Sequence, residues 1–139
     1  MKTTEETPRH KYVMLIDDVE LDNFINEKMI KTYLFSKDVY VTTSATGALE
    51  FLNNLSISSA EFPDICPEVI FIDLNMPVMD GFHFIHTFRK ITEKRVKKPK
   101  LVVLTSSAAP TDRKKTEDIS SEITFLVKPL TKEMLQTLA

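Results

Sequence analysis

Glycine is nearly absent: Gly47 and Gly81 are the two in a chain of 139 residues. That is too few for a glycine-rich loop that cradles a phosphate with backbone amides. Cysteine occurs once, at Cys66, which excludes an internal disulfide and a thiol cluster for structural zinc. No apolar run approaches the roughly 18 residues needed to span a bilayer. The first eleven residues are polar and charged, without the apolar segment of a secretory leader. Neither sign of charge dominates, with 18 basic and 20 acidic side chains and a net charge of -2. Such a balance argues against a chain built to coat nucleic acid or an anionic membrane. What is present is a 42% hydrophobic composition, ample for one packed core and too apolar for disorder. A single cytoplasmic domain is the expectation, with no direct nucleic-acid partner and no membrane partner.

Five short apolar runs rich in β-branched residues punctuate the chain, at 12–16, 39–43, 69–72, 101–105 and 123–127. The first, third and fourth are continuous, as in strands covered on both faces of a parallel sheet. The second alternates and reads as an edge strand. Helix-length segments separate them. Leu21, Phe24, Ile25, Met29 and Tyr33 recur at helical spacing and predict one apolar, core-facing stripe. Ala48, Leu49, Leu52 and Leu55 do the same after Thr46, and Phe82, Ile85 and Phe88 after Asp80. Segment 111–120 is polar and predicts a helix only weakly, and Thr131 is placed to cap a short last helix over 131–138. Strand and helix alternating five times predict an α/β, doubly wound (βα)5 sandwich with right-handed crossovers.

Ligands in such sheets bind beyond the carboxyl ends of the strands. There the sequence concentrates chemistry: Asp17 and Asp18 after the first strand, Asp73 after the third, Thr105 at the end of the fourth, Lys128-Pro129 after the fifth. Three converging carboxylates repel one another unless a proton or a cation compensates. A hard divalent ion such as Mg²⁺ resolves the conflict. Lys128 can pair with a carboxylate or an incoming phosphoryl group. Asp73 can then serve as the nucleophile, and Thr105 can hydrogen-bond the phosphoryl oxygen. A lone aspartate at a strand end is usually a helix cap, and Lys-Pro is a common turn. The combination at four strand ends is what points to a phosphoryl acceptor.

These residues resemble the receiver domain of two-component response regulators. The likeness runs from about residue 12 to 138 and rests on Asp17-Asp18, the stretch Asp73-Leu74-Asn75-Met76-Pro77-Val78-Met79-Asp80-Gly81, Thr105-Ser106, and Lys128-Pro129. It implies a flavodoxin-like fold with strand order 2-1-3-4-5, occupying 11–139 after a flexible tail over 1–10. It implies that Asp73 takes a phosphoryl group from a histidine kinase or histidine phosphotransfer protein. Asp18, Asp73 and the Asn75 carbonyl would ligate Mg²⁺, with Asp17 acting mainly through water. Thr105 and Phe125 would be switch residues that alter a face presented to a downstream protein target, and a homodimer through that face is compatible with this. The resemblance implies a signalling switch that catalyses only its own phosphorylation and dephosphorylation. No output domain is visible before Ala139, and the connection over 53–67 is longer than the family usually has.

Two other readings are compatible with an α/β fold. Haloacid-dehalogenase-like phosphatases carry a second acid two positions after the nucleophile, where this chain has Asn75. A flavin carrier would place hydroxyls and backbone donors where Asp17 and Asp18 stand. The basic run Lys94, Arg95, Lys97, Lys98 and Lys100 lacks interleaved aromatics and reads as a solvated surface. His83 and His86 read as exposed helix residues, and Cys66 as a free thiol.

Overall fold

The computed structural model describes residues 7–55 and 65–138. Strand and helix alternate as β1 (His10–Ile16), α1 (Glu20–Thr32), β2 (Ser36–Thr42), α2 (Ala45–Asn54), β3 (Val69–Ile72), α3 (Gly81–Ile91), β4 (Lys100–Thr105), α4 (Pro110–Ile119), β5 (Thr124–Val127) and α5 (Lys132–Thr137). The strands form one parallel sheet in the order β2-β1-β3-β4-β5, the flavodoxin-like arrangement. Ile16 lies opposite both Thr42 and Ile72, Ile72 opposite Val103, and Thr105 opposite Val127. That register brings the carboxyl ends of the strands to one edge.

Period-two alternation explains how the continuous apolar runs are used. Met14, Ile16, Ile70, Ile72 and Val103 face one core with Leu52, Phe84 and Phe88. Val13, Leu15, Val69, Phe71 and Val102 face the other with Ile30, Phe35 and Leu135. Fully burying one such side chain is worth about 1.5–3 kcal/mol, so both faces of the central strands stabilise the sheet. The helices start where caps allow. Ser44 Oγ accepts from Gly47 N at 3.0 Å, Asp80 Oδ1 from His83 N at 2.9 Å, and Thr131 Oγ1 from Met134 N at 3.1 Å.

Helix α1 departs from the sequence expectation. Its buried residues are Asn23, Asn26 and Ile30, while Leu21 and Phe24 are 64% and 61% exposed and Ile25 and Tyr33 are exposed as well. Asn23 is two positions on from Leu21, a rotation of about 200° around a helix, so Leu21, Phe24 and Ile25 face away from the sheet, while Met29 packs partly against the core. The reason lies at the strand ends. Asn23 Nδ2 donates to Asp17 O at 2.8 Å, a carbonyl at the end of β1 that needs a donor, and reaches Thr42 O at 3.4 Å, which already accepts from Asp17 N.

Of the tail expected over 1–10, positions 1–6 lie outside the described residues. Arg9 N donates to Leu34 O and His10 N to Phe35 O, each at 2.9 Å, and His10 opens β1. In the long connection, 56–64 lie outside the described residues, while Cys66 is buried against the α2 side of the core. Among the described residues no helix is long and apolar enough to cross a membrane.

Arg9, just before β1, is tied to the end of α5. Its Nη1 donates to Leu135 O at 2.9 Å and also to Leu138 O, and its guanidinium lies 5.3 Å from the centre of the Phe35 ring. A cation on the last carbonyls of a helix also complements the helix dipole. Arg9→Ala is therefore expected to cost about 1–2 kcal/mol in urea unfolding, with faster amide exchange concentrated in α5.

Candidate functional site

Asp17 follows β1 and Asp73 follows β3. Because Ile16 and Ile72 are in register, both carboxylates leave neighbouring strands at the same level. Asp73 N donates to Ile16 O at 3.0 Å and Asp17 N to Thr42 O at 3.2 Å, which fixes the backbone beneath both. Asp17 and Asp73 are buried, and Asp18 is exposed at the rim. One carboxylate oxygen from each of the three lies within 4.8 Å of the others.

Thr105 ends β4 and is fully buried. Its carbonyl accepts from Lys128 N at 2.8 Å, and this bond carries the end of β5 to the pocket. The Lys128-Pro129 peptide is cis. Lys128 Nζ stands 2.5 Å from Asp17 Oδ2, 2.8 Å from Asp22 Oδ2 and 3.8 Å from Asp73 Oδ2. The Thr105 hydroxyl accepts from Ser107 N at 3.2 Å. The structure thus gathers Asp17, Asp18, Asp73, Thr105 and Lys128 at one edge. Asn75 is exposed on the loop two residues beyond Asp73. Phe125 lies in the core instead of the pocket, with the Arg113 guanidinium 4.6 Å from its ring centre.

Electrostatics follow from this crowding. Burial pushes the Asp73 carboxyl above its ordinary range, and the neighbouring Asp17 charge adds to the rise. Lys128, the Thr105 hydroxyl and the Leu74 amide pull the other way without overcoming it. For Lys128, burial disfavours the ammonium, yet hydrogen bonds to Asp17 and Asp22 and the Asp73 charge hold its pKa above the usual lysine value. One ammonium faces three carboxylates, with Asp18 at the rim beside them, so the pocket remains short of positive charge.

Two features give the site its capacity. Asp73 Oδ1 is buried without a hydrogen-bond partner, and such an atom is costly unless something arrives to use it. The donor set is all carboxylate oxygen, which suits a hard cation such as Mg²⁺ over a soft one. Residues and chemistry fit that ion, and Asp17, Asp18 and Asp73 are the residues that could hold it.

Sequence reasoning missed Asp22. An acid in the first turn of a helix is ordinary there because the dipole favours it, and nothing local marks it as the partner of a lysine 106 positions away.

The loop from Asp73 to α3 holds local strain. Val78 has φ of 71° with its side chain 98% exposed, and positive φ is strongly disfavoured for a β-branched residue. Val78→Asn, whose side chain tolerates that conformation, is expected to raise stability by about 1 kcal/mol. Thermal unfolding would register this as a higher Tm.

Comparison with known proteins comes to the same place. The model of the response regulator receiver domain family matches residues 13–139. The sensor histidine kinase CheAY of Helicobacter pylori (strain ATCC 700392 / 26695) is 30% identical over 135 residues, which is 96% of this chain and 15% of that protein. The chain thus spans about one seventh of the length of this curated relative. Among solved structures, a two component response regulator from Cytophaga hutchinsonii has a TM-score of 0.77 and 30% identity, over 91% of this chain and 92% of its own. The bacteriophytochrome response regulator RtBRR has a TM-score of 0.70 and 25% identity, over 91% and 74% respectively.

Proposed function

The chain belongs to the response regulator receiver domain family of two-component signalling, and from that premise we propose that Asp73 is its phosphoryl acceptor. The observation that carries this reading is the buried, unpartnered Asp73 Oδ1, set among acids and 3.8 Å on its other oxygen from Lys128 Nζ. A carboxylate oxygen of Asp73 attacks the phosphorus of a donor phosphohistidine in line with the P–N bond. The new P–O bond forms as the P–N bond breaks, and the imidazole leaves with that electron pair and takes a proton from solvent. Lys128 is close enough to turn from Asp73 to a phosphoryl oxygen, and its fixed charge favours the negative charge on the transferring group. Bound Mg²⁺, held by Asp17, Asp18 and Asp73, would neutralise charge on the phosphoryl oxygens. Asn75 is the further candidate ligand, through its carbonyl.

Receiver domains interact with histidine kinases, and the exposed stripe on α1 supports a docking place for this one. Val19, Leu21, Phe24 and Ile25 are all exposed, and α1 begins beside the acids and contributes Asp22 to the pocket. A partner helix packing on that stripe would cover apolar surface while holding its histidine near Asp73. Thr105 and Phe125 are the proposed switch residues, because Thr105 borders Asp73 and Phe125 lies two positions along β5 from Val127, its register partner. A phosphoryl group brings about -1.5 to -2 charges and shifts whichever arrangement of α4 and β5 binds it better.

Incubation with Mg²⁺ and acetyl phosphate, followed by intact mass measurement, tests the proposal. A gain of one phosphoryl group is expected, and no gain at any donor concentration would end it. Asp18→Ala is expected to weaken Mg²⁺ binding at least tenfold, about 1.4 kcal/mol, in a titration followed by calorimetry.

A further inference from the structure

The end of the sheet opposite the acids carries a second concavity. It lies between the C-terminal half of α3, the start of β4 and the loop before β5, with a volume of about 770 Å³. That is within the range of small-molecule sites. Its floor is apolar, made by Phe88, Leu101 and Ile123, all buried members of the core. Its rim is cationic: Arg89, Lys90, Lys98 and Lys100 stand against Glu93 and Glu122.

The charge here is a local departure from the rest of the chain. Residues 89–100 hold seven of the 18 basic side chains and a single acid, Glu93, in a protein whose net charge is -2. An apolar floor under a cationic rim matches a ligand with an apolar or planar part and an anionic group. Arginine is the side chain best shaped for phosphate, because its planar fork can bond two oxygens. Arg89 is already committed in one direction, donating from Nη1 to Ile119 O, the last residue of α4, at 3.0 Å. A phosphate drawn to this guanidinium would therefore be felt at the end of α4.

We propose that this cavity binds a small organic phosphate of nucleotide size, with the base on Phe88, Leu101 and Ile123 and the phosphates on Arg89, Lys98 and Lys100. The site is independent of Asp73, and its test does not use phosphoryl transfer. The full chain is titrated with ADP in EDTA, without divalent metal, and followed by ¹H–¹⁵N amide shifts. Saturable shifts are expected over 88–101 and 119–123 and not around Asp17 or Asp73. Adenosine and inorganic phosphate should each bind at least tenfold more weakly than ADP. The double variant Lys98→Gln/Lys100→Gln should weaken ADP at least tenfold with unchanged thermal unfolding. Absence of saturable shifts, equal binding of inorganic phosphate and ADP, or shifts centred on the acids would each overturn the proposal. The comparison of the three probes uses the unmodified chain, so the result stands whether or not the variant folds.

Discussion

Asp73→Asn is expected to abolish labelling by acetyl phosphate completely and, at neutral pH without metal, to make the protein more stable. The first effect follows from chemistry, because an amide nitrogen and oxygen do not form the acyl-phosphate that a carboxylate forms. The second follows from the surroundings. Burial raises the Asp73 carboxyl pKa, and the Asp17 charge adds to it, so the folded chain holds this proton more tightly than the unfolded chain does. For such an acid the favourable contribution is complete below the unfolded value, near 3.8, and is lost as pH rises through the folded value. Wild type and variant should therefore unfold alike at the acid end, and the variant should lead by about 0.5–2 kcal/mol at neutral pH, the range common where a functional group is held at a cost in stability. Denaturant unfolding across pH in EDTA checks the sign. Mg²⁺ should narrow the gap, because binding to the folded wild type stabilises it by mass action and the variant lacks a ligand. Phosphoryl incorporation into the variant would move the acceptor elsewhere, whereas a variant less stable than wild type would refute the electrostatic argument alone.

The position of that carboxylate is legible in the sequence because parallel topology does simple work. A continuous run such as Val69-Ile70-Phe71-Ile72 needs cover on both faces, and the residue that ends it must emerge where all the other strands end. That rule places Asp17, Asp73, Thr105 and Lys128 at one edge. The same local reasoning failed at α1. Helical spacing of Leu21, Phe24 and Ile25 says that a face is apolar but not what covers it. Asn23 competes for the inward position because the Asp17 carbonyl at the end of β1 needs a donor, a requirement set by the strand and invisible within the helix itself.

Helix α4 is found where the sequence predicts it, but its pattern there is faint for the opposite reason. Thr116 is its only buried residue among those described, so it offers almost no apolar pattern to read. Its start is set by other devices. Pro110 stands in the first turn, where its fixed φ is preorganised for a helix, and Ser107 Oγ bonds Asp112 Oδ2 at 2.8 Å. Thr116 Oγ1 in turn donates to Asp112 O at 2.9 Å. A helix that buries so little is held weakly to the sheet, and segments of low burial are where conformational change is least expensive. The poor legibility of α4 and its proposed part in switching thus share one physical cause.

The two glycines give the sharpest contrast of all. A Cβ at Gly81 would lie 2.5 Å from Asp73 O and 2.7 Å from Leu74 Cα, both backbone atoms. Gly81 N also donates to Leu74 O at 3.0 Å, so α3 begins in direct contact with the chain that carries the acceptor. A methyl group there cannot be relieved by turning a side chain; either α3 or the Asp73 backbone must move. Gly81→Ala is expected to cost about 3 kcal/mol, at the upper end for overpacking. It should also slow phosphorylation roughly 100-fold, the penalty typical of displacing a reacting group by about 1 Å. At Gly47 the nearest atom is Ser44 Oγ at 2.8 Å, followed by Thr42 Oγ1 at 3.4 Å, and a hydroxyl can rotate. Gly47→Ala would strain the Ser44 cap but gain helix propensity, terms of about 1 kcal/mol each and opposite sign. Its stability should stay within about 1 kcal/mol of wild type and its phosphorylation rate should be unchanged. Equal losses in the two variants, read by urea unfolding and by the rate of mass gain, would mean that glycine serves here as a general loosening of the chain and not as the space in which Asp73 is set.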